Sequence, residues 1–236
     1  MSVSRGHEAP ASERTAIVVG AGGELGRATA QVLAGTGYTV VGIDRSEKGL
    51  AELPDGIRRE AGDATDPATA KRLIDRIAAE VGPPGVLVNT IGTFRLGEAV
   101  AATPDDLKVM MDVNLGAALW LSQAVTPHMR QLGKGSIVHV SARPGTDPTA
   151  GFAAYSLSKA ALSHLVRVLD LELRPHGIRV NAVAPQLIDT AVNRATFPPD
   201  LLAHAVPAEA IANVIAFLAG DLAAPVSGAI IPAYGA

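Results

Sequence analysis

The chain has 236 residues, 48% of them hydrophobic and 18% charged, so we expect a globular protein with a substantial core rather than a disordered chain. The net charge of −3 argues against nucleic acid as a partner, and the absence of cysteine excludes disulfides and thiolate metal sites. No apolar run approaches the roughly 18 residues that cross a membrane, and residues 1–13 resemble a flexible polar tail, which favours a cytoplasmic protein with no membrane partner.

Short apolar runs alternate with longer helical patterns through the rest of the chain. The strand candidates are residues 16–19, 39–43, 86–89, 136–140, 179–183 and 229–232. The helix candidates are residues 25–34, 67–81, 104–132, 152–174 and 207–218. Such alternation predicts a single-domain, Rossmann-like α/β fold over residues 14–236, a doubly wound parallel sheet with helices on both faces.

The first strand candidate runs directly into a glycine cluster, VVGAGGELGRATA, and then into a helical pattern. Gly20 can form the tight turn, Gly22 and Gly23 let the backbone approach a pyrophosphate, and Gly26 lets helix and sheet pack closely. The following N–H groups would then face the anion, with Leu25 beside them. Glu24 lies inside this turn: the helix dipole favours its carboxylate if it points to solvent, whereas a carboxylate facing the phosphates would weaken binding.

The second strand candidate ends in an acidic residue, Asp44, about 18 residues past the last glycine. A carboxylate there can accept hydrogen bonds from the ribose hydroxyls of an adenosine and repels a 2′-phosphate. The pattern therefore favours NAD(H) over NADP(H), although Arg45 next to it could pair with a 2′-phosphate. A plain turn-capping role for Asp44 is the competing interpretation.

Tyr155 and Lys159 are four residues apart on a predicted helix, so their side chains share one face. The pKa of a tyrosine is ordinarily about 10, and a nearby ammonium favours the phenolate and lowers that pKa toward the working pH. The pair is therefore a candidate acid–base centre, and the lysine can also hold the nicotinamide ribose.

Taken in order, these segments resemble the short-chain dehydrogenase/reductase family. The matching stretches are the glycine turn, Asp44, GDATDP, LVNTIG, MDVNLGA, YSLSK and IRVNAVAPQLIDT.

The resemblance implies specific roles for residues in those stretches. Asp63, followed by Ala64, would bind the adenine amino group, and Asn89 would support the cofactor. Asn114 would hold a water in a proton relay to the lysine. The segment that contains Pro185, Ile188 and Thr190 would close over the nicotinamide. Tyr155 and Lys159 would be the acid–base pair, and the two longest helices would build a homotetramer or homodimer.

The chain departs from the family where a serine usually helps to polarise the substrate carbonyl, 13 residues before the tyrosine. Here that position is Ala142, and Ser141, one residue earlier, would point to the opposite face of a strand. We expect the usual hydroxyl to be absent; a loop shift that lets Ser141 serve, or compensation by Arg143, are the alternatives.

The alanine followed by a basic residue is similar to dihydropteridine reductases, as are GAGGELG and IDTAVNRATFPP. That likeness implies a substrate that builds little alkoxide charge. Thr90, Ile91 and Gln186 also differ from the usual family residues near the nicotinamide, where they can shape specificity or reflect neutral change. A variable lid over a small or open pocket is expected between residues 190 and 207.

Together the patterns predict an NAD(P)(H)-dependent oxidoreductase acting on a small-molecule substrate, a carbonyl compound, alcohol or conjugated acceptor, with Asn114, Tyr155 and Lys159 as its catalytic residues. No histidine spacing indicates a metal site. A catalytically silent dinucleotide sensor is the alternative, since the usual serine is missing.

Overall fold

The computed structural model describes residues 14–235, and the predicted tail at residues 1–13 lies outside the described residues. Seven parallel strands form one sheet in the order β3-β2-β1-β4-β5-β6-β9. These strands are β1 (Thr15–Val19), β2 (Thr39–Asp44), β3 (Arg58–Ala61), β4 (Pro84–Asn89), β5 (Gly135–Val140), β6 (Ile178–Pro185) and β9 (Ile230–Ala233). The predicted single-domain, doubly wound parallel sheet is confirmed.

All six predicted strands are present, each within two residues of its expected bounds. One strand of the sheet, β3, was not predicted: its sequence RREA has only one buried position because it forms the edge of the sheet. A separate pair of two-residue strands, β7 (Ile188–Asp189) and β8 (Val206–Pro207), was not predicted either.

The helices are α1 (Glu24–Gly35), α2 (Glu47–Ala51), α3 (Pro67–Glu80), α4 (Pro104–Met110), α5 (Ala117–Leu132), α6 (Ala153–Leu173), α7 (Ala191–Thr196), α8 (Pro199–Leu202) and α9 (Ala208–Ala219). Two of them begin with a cap followed by proline. The Asp66 carboxylate accepts a hydrogen bond from the Thr69 N–H at 2.8 Å, and Thr103 forms a capping box with Asp106.

Alternate residues of each central strand point into two separate cores. Ala16 and Val18 of β1 pack with α1 and α9 on one face of the sheet. Ile17 and Val19 pack with α3, α5 and α6 on the other face. Helices therefore cover both faces, which explains why the strands are hydrophobic on consecutive residues.

The predicted helix over residues 104–132 is not continuous. Residues Met111–Gly116 form a π-helix between α4 and α5. A π turn adds a residue that an α-helical repeat does not need, and such turns occur often at functional sites. The hydrophobic pattern is helical throughout, so it gave no sign of the interruption.

Sheet order places the carboxyl ends of β1 and β4 side by side at the point where the chain changes direction across the sheet. Chain connections leave this point on opposite sides, which opens a crevice there. The glycine turn after β1 and the loop after β4 line this crevice.

Candidate active site

The glycine turn connects β1 to α1 in a backbone arrangement that demands small residues. Gly20 has a φ of +83°, and the Gly20 and Ala21 N–H groups donate to the Ile43 carbonyl at 2.8 and 3.1 Å. A Cβ atom on Gly26 would lie 2.1 Å from the Gly20 carbonyl oxygen, so only glycine fits there. The first turn of α1 thus lies directly against the end of β1, as a phosphate-binding turn requires.

Thr90 supports this turn from the neighbouring strand. Its hydroxyl donates to the Val19 carbonyl at 2.8 Å and lies 3.2 Å from the Gly20 carbonyl oxygen. A Cβ atom on Gly20 would lie 2.5 Å from the same hydroxyl. The sequence showed Thr90 only as a departure from the family pattern. In the structure its hydroxyl joins the loop after β4 to the glycine turn after β1.

One cleft of about 450 Å³ follows the carboxyl ends of β1 to β4. The predicted residues that line it are Gly20, Gly23, Asp44, Arg45, Asp63 and Ala64. The Asp44 carboxylate accepts hydrogen bonds from the Gly22 N–H at 2.9 Å and the Ser46 N–H at 2.8 Å. It is therefore fixed against the glycine turn with a negative charge at the cleft.

Asp63 lies across the same cleft in a loop that it orders itself. Its carboxylate accepts hydrogen bonds from the hydroxyl and the N–H of Thr65 at 2.7 and 3.0 Å. These bonds, with a smaller contribution from the Arg45 guanidinium, lower the pKa of Asp63 below its usual value. The cleft therefore offers two carboxylates and one guanidinium to a ligand.

A second cleft of about 500 Å³ adjoins the first, since Thr90, Gly92 and Thr93 line both. The predicted residues on its wall are Leu25, Tyr155, Lys159, Pro185 and Ile188. The other predicted residues line neither cleft: Gly22, Gly26, Asn89, Asn114 and Thr190. The volume lies inside the range of typical ligand sites.

Lys159 is buried, with 3% exposure, and its ammonium donates to the Val140 carbonyl at 2.7 Å. Burial lowers the pKa of Lys159 to about 8. Its Nζ lies 5.9 Å from the centre of the Tyr155 ring. Lysine and tyrosine thus share the wall of one cleft, as their spacing on α6 predicts.

The pKa of the Tyr155 phenol is raised, because burial disfavours the charged phenolate. This differs from the prediction that the lysine lowers the pKa of the tyrosine. In the protein alone, desolvation dominates because the ammonium is committed to a backbone carbonyl rather than to the phenol oxygen.

Asn114 lies in the π-helix and is fully buried. Its carbonyl oxygen accepts from the Thr93 N–H at 2.9 Å, and its amide donates to the Thr93 carbonyl and to the Ser158 hydroxyl, both at 3.0 Å. A Cβ atom on Gly92 would lie 3.3 Å from the Lys159 Nζ and 3.4 Å from the Asn114 oxygen. Asn114 and Lys159 therefore face the same small space beside Gly92.

Asn89 and His139 form a buried chain of hydrogen bonds behind this site. The Asn89 oxygen accepts from the Ile91 N–H at 3.0 Å, and its amide lies 3.4 Å from the His139 Nδ1. His139 Nε2 lies 3.1 Å from the Ser122 hydroxyl. Burial lowers the pKa of His139 to about 3, so the ring is neutral and holds the loop after β4 without adding charge.

Ser141 and Ala142 occupy the end of β5, at the position of the serine expected from the family. The Ser141 hydroxyl donates to the Lys159 carbonyl at 3.2 Å and lies 2.7 Å from the Ser163 hydroxyl, and the residue is 2% exposed. Both residues line the cleft, Ser141 with its hydroxyl bonded to α6 and Ala142 with a methyl group. Arg143 also lines the cleft and donates to the Gln186 side-chain oxygen at 2.8 Å.

Glu24 neither points freely to solvent nor lines either cleft. Its carboxylate accepts a hydrogen bond from the Ala191 N–H at 2.7 Å and lies 3.8 Å from the Arg194 guanidinium. Both partners belong to the segment between β7 and β8, which carries α7 and α8. Glu24 therefore ties this lid segment to the glycine turn, an interaction across 167 positions of sequence that no local pattern indicates.

Thr190 marks the start of the lid, where its hydroxyl accepts from the Asn193 N–H at 3.2 Å and caps α7. No helix among residues 14–235 is long and apolar enough to cross a membrane. Within the same residues, no group of three or more histidine, aspartate or glutamate side chains is arranged to hold a metal ion.

Comparison with known proteins agrees with this geometry. The family model for short chain dehydrogenases matches residues 14–200. Galactitol 2-dehydrogenase from Rhizobium johnstonii is 36% identical over 92% of this chain and 91% of its own length. The 3-oxoacyl-[acyl-carrier-protein] reductase FabG of Escherichia coli is 33% identical over 94% of this chain and 96% of its own length.

Solved structures give the same result. A short-chain dehydrogenase/reductase from Burkholderia xenovorans superposes with a TM-score of 0.88 at 28% identity, covering 95% of this chain and 96% of that one. The aldohexose dehydrogenase of Thermoplasma acidophilum superposes with a TM-score of 0.83 at 27% identity, covering 93% and 92%. The chain therefore belongs to the short-chain dehydrogenase/reductase family of NAD(P)(H)-dependent oxidoreductases.

Proposed function

We propose that this protein is an NAD(H)-dependent oxidoreductase that interconverts a small carbonyl compound and its alcohol, or reduces a conjugated quinonoid or imine acceptor. The observation that carries the proposal is that Tyr155 and Lys159 share the wall of the second cleft, while the buried Asn114 faces the Lys159 ammonium beside Gly92, in the loop that lines both clefts. One cleft suits a dinucleotide and the other a substrate, so their junction is where hydride transfer would occur.

The first cleft fits a dinucleotide on features of the chain itself. Gly26 keeps the helix against the strand end, and the start of α1 offers N–H groups to a pyrophosphate. Asp44 would accept the ribose hydroxyls, and Asp63 with Ala64 would contact the adenine. When bound, NAD(H) supplies or accepts the hydride, and the positive charge of its oxidised ring favours the phenolate form of a nearby tyrosine.

Tyr155 acts in this proposal as the acid–base group whose hydroxyl exchanges a proton with the substrate oxygen or nitrogen. Lys159 supplies a positive charge that offsets the cost of a buried phenolate, and it orients the nicotinamide ribose. Asn114 holds the Thr93 backbone and supports a proton relay toward Lys159. Pro185, Ile188 and Thr190 would close over the nicotinamide.

The absence of the usual serine hydroxyl limits which groups can stabilise negative charge on the substrate oxygen. A donor to a developing oxyanion is typically worth about 10²–10³ in rate, and Ala142 offers none. The Ser141 hydroxyl already has two partners on α6, which favours the interpretation that it does not serve. Arg143 lines the cleft and is the charged donor nearest in sequence, so we assign it the compensating role.

NAD(H) is proposed over NADP(H) because of Asp44. Its carboxylate is fixed by two backbone N–H groups, so it could not move away from a 2′-phosphate without losing both bonds. Arg45 lines the same cleft, but it is also attracted to Asp63.

The decisive experiment replaces Tyr155 with phenylalanine. Turnover of NADH with a panel of ketones, quinones and dihydropterins should fall about 10²–10⁴-fold, because general acid catalysis contributes that much. NADH binding measured by fluorescence should remain within about threefold, because the phenyl ring keeps the packing. Tyr38→Phe, which removes a hydroxyl packed against the first core instead, is the matched control. Undiminished turnover by Tyr155→Phe would refute the assignment.

The second candidate is a catalytically silent dinucleotide sensor, favoured by the absence of the serine hydroxyl. It predicts measurable NADH binding with no turnover of any compound in the panel. The names of the relatives, galactitol dehydrogenase, oxoacyl reductase and xylulose reductase, all describe the interconversion of carbonyl compounds and alcohols and support the enzyme.

We further propose a cytoplasmic homotetramer or homodimer that contacts its copies through α4, α5 and α6. Leu107, Leu157 and Leu171 are large apolar side chains exposed by 43%, 59% and 72% on two of these helices. Light scattering after size-exclusion chromatography tests the assembly, and a monomer at micromolar concentration would contradict it.

A further inference from the structure

The chain contains only eight aromatic residues, four phenylalanines, three tyrosines and one tryptophan. None of them is among the largest fully buried side chains of the described residues, which are isoleucine, leucine and methionine. Half of the aromatic residues gather instead around the second cleft, which Phe94, Phe152, Tyr155 and Phe197 all line. We call these four residues the aromatic ring set.

The aromatic ring set closes on itself, each ring contacting two others. Tyr155 lies edge-on to Phe94 at 6.3 Å and tilted against Phe152 at 6.2 Å, measured between ring centres. Phe197 lies at 5.6 Å from Phe94 and 6.5 Å from Phe152, with its plane within 28° of the first and 18° of the second. Phe197 is therefore stacked nearly parallel to each of the other two phenyl rings, and the phenol of Tyr155 contacts Phe94 and Phe152 on the other side.

Three separate parts of the chain bring these rings together. Phe94 lies in the loop after β4, Phe152 precedes α6, and Phe197 ends α7 in the lid. All three phenylalanines are partly exposed, so water reaches them when no ligand is present. Partly exposed aromatic faces that border a cleft gain the most from a ligand that covers them.

Near-parallel aromatic faces favour another flat, unsaturated ring over a puckered saturated ring of equal size. Aromatic pairs gain a roughly two- to tenfold preference beyond the area that they bury, through offset stacking and edge-to-face contact. A saturated ring presents only hydrogen atoms to these faces and lacks this contribution.

Resting on the proposed function, we infer that the substrate is a carbonyl compound or alcohol carrying an aromatic ring, which the aromatic ring set holds while the reacting carbon faces Tyr155. The ring set thus determines specificity within a cleft of about 500 Å³, which accommodates one or two fused rings. Sugar-like and open-chain polar substrates would leave the phenyl faces uncovered.

The test compares phenylacetone with cyclohexylacetone. Both have the same number of heavy atoms, and in both a methylene group insulates the ketone from the ring, so their electrophilicity is nearly matched. With NADH, we expect kcat/KM for phenylacetone to exceed that for cyclohexylacetone about tenfold, a difference of ~1.4 kcal/mol. Phe94→Leu, Phe152→Leu and Phe197→Leu should each reduce the ratio to about threefold or less, because leucine keeps apolar contact but lacks the aromatic face.

Phe217→Leu is the matched control, because Phe217 lies on α9, is 48% exposed and does not line the cleft. Its ratio should equal that of the unchanged protein. A ratio near one in the unchanged protein, with turnover present, overturns the inference and leaves the proposed function standing. Equal loss of the ratio in Phe217→Leu also overturns it.

A binding measurement separates failure of the inference from failure of the proposed function. Ligand-observed NMR without cofactor compares 2-phenylethanol with 2-cyclohexylethanol. Preferential binding of the aromatic alcohol that Phe197→Leu removes, together with no turnover of any ketone, supports the ring set and refutes the enzyme. No preference in either binding or turnover overturns the inference.

Discussion

The buried ammonium of Lys159 lowers the stability of the folded protein, as expected of a residue kept for the catalytic role proposed above. Its pKa is about 8 in the folded chain because of burial, against 10.5 for a solvated lysine. Below pH 8 both states are protonated, and the buried ammonium destabilises the fold in full. Between pH 8 and 10.5 the unfolded chain binds more protons than the folded chain, so the free energy of unfolding rises with pH.

The size of this pH effect follows from the difference between the pKa values of Lys159 in the folded and unfolded chains. Between pH 7 and pH 9.5, release of the Lys159 proton should raise the free energy of unfolding by about 2 kcal/mol. Lys159→Met should abolish this rise in the free energy of unfolding with pH. It also removes the destabilising buried charge that is present at pH 7. It loses one hydrogen bond to the Val140 carbonyl, about 1 kcal/mol, so we expect the variant to be more stable at pH 7 by about 2 kcal/mol, while turnover is abolished.

Urea denaturation of the cofactor-free protein, followed by circular dichroism at pH 7, 8, 9 and 9.5, measures both quantities. Staying at or below pH 9.5 keeps tyrosine ionisation in the unfolded chain to about a quarter of each phenol. Lys71→Met, which changes an exposed lysine on α3, controls for the general effect of removing a positive charge. A parallel pH dependence in the unchanged protein and Lys159→Met, or a less stable variant at pH 7, would refute the reasoning.

Three further changes test other parts of the molecule. Because burial lowers the pKa of His139 to about 3, the free energy of unfolding should fall by about 3 kcal/mol between pH 7 and pH 4, and acid titration of His139→Gln should show a shallower loss. Glu24→Ala removes the acceptor of the Ala191 N–H and should increase proteolysis within residues 190–202 about tenfold, whereas Glu24→Gln keeps an acceptor and should change it less; equal rates in both variants would contradict a lid tie. Asp44→Ser should reduce the ratio of kcat/KM for NADH over NADPH at least tenfold, and an unchanged ratio would remove Asp44 from cofactor selection.

Structural features that depend on residues close together in the sequence could be predicted from the sequence alone. Consecutive apolar residues predicted the central strands, Asp66 with Pro67 predicted the start of α3, and the glycine turn fell where β1 meets α1. The edge strand β3 was not predicted, because an edge strand is partly exposed and the sequence of β3 is mostly charged.

Contacts between distant parts of the chain were not readable from the sequence. Phe197 reaches Phe94 and Phe152 only because β7 and β8 fix both ends of the lid, and two-residue strands leave no pattern. Glu24 illustrates the same limit: its local position allowed a carboxylate that faces either solvent or the phosphates, whereas its actual partner comes from the lid.

The extra residue in the π-helix at Met111–Gly116 makes the length of this segment as significant as its composition. Removing one residue there would let α4 and α5 join into a continuous α-helix, and it would rotate α4 by about 100° relative to α5. Either α4 would lose its contacts with α6, or Asn114 would leave Thr93 and Ser158. Natural variation in this part of the chain should therefore proceed by substitution, while insertions and deletions accumulate in the lid after Phe197, beyond the residues that contact Glu24 and the other phenyl rings.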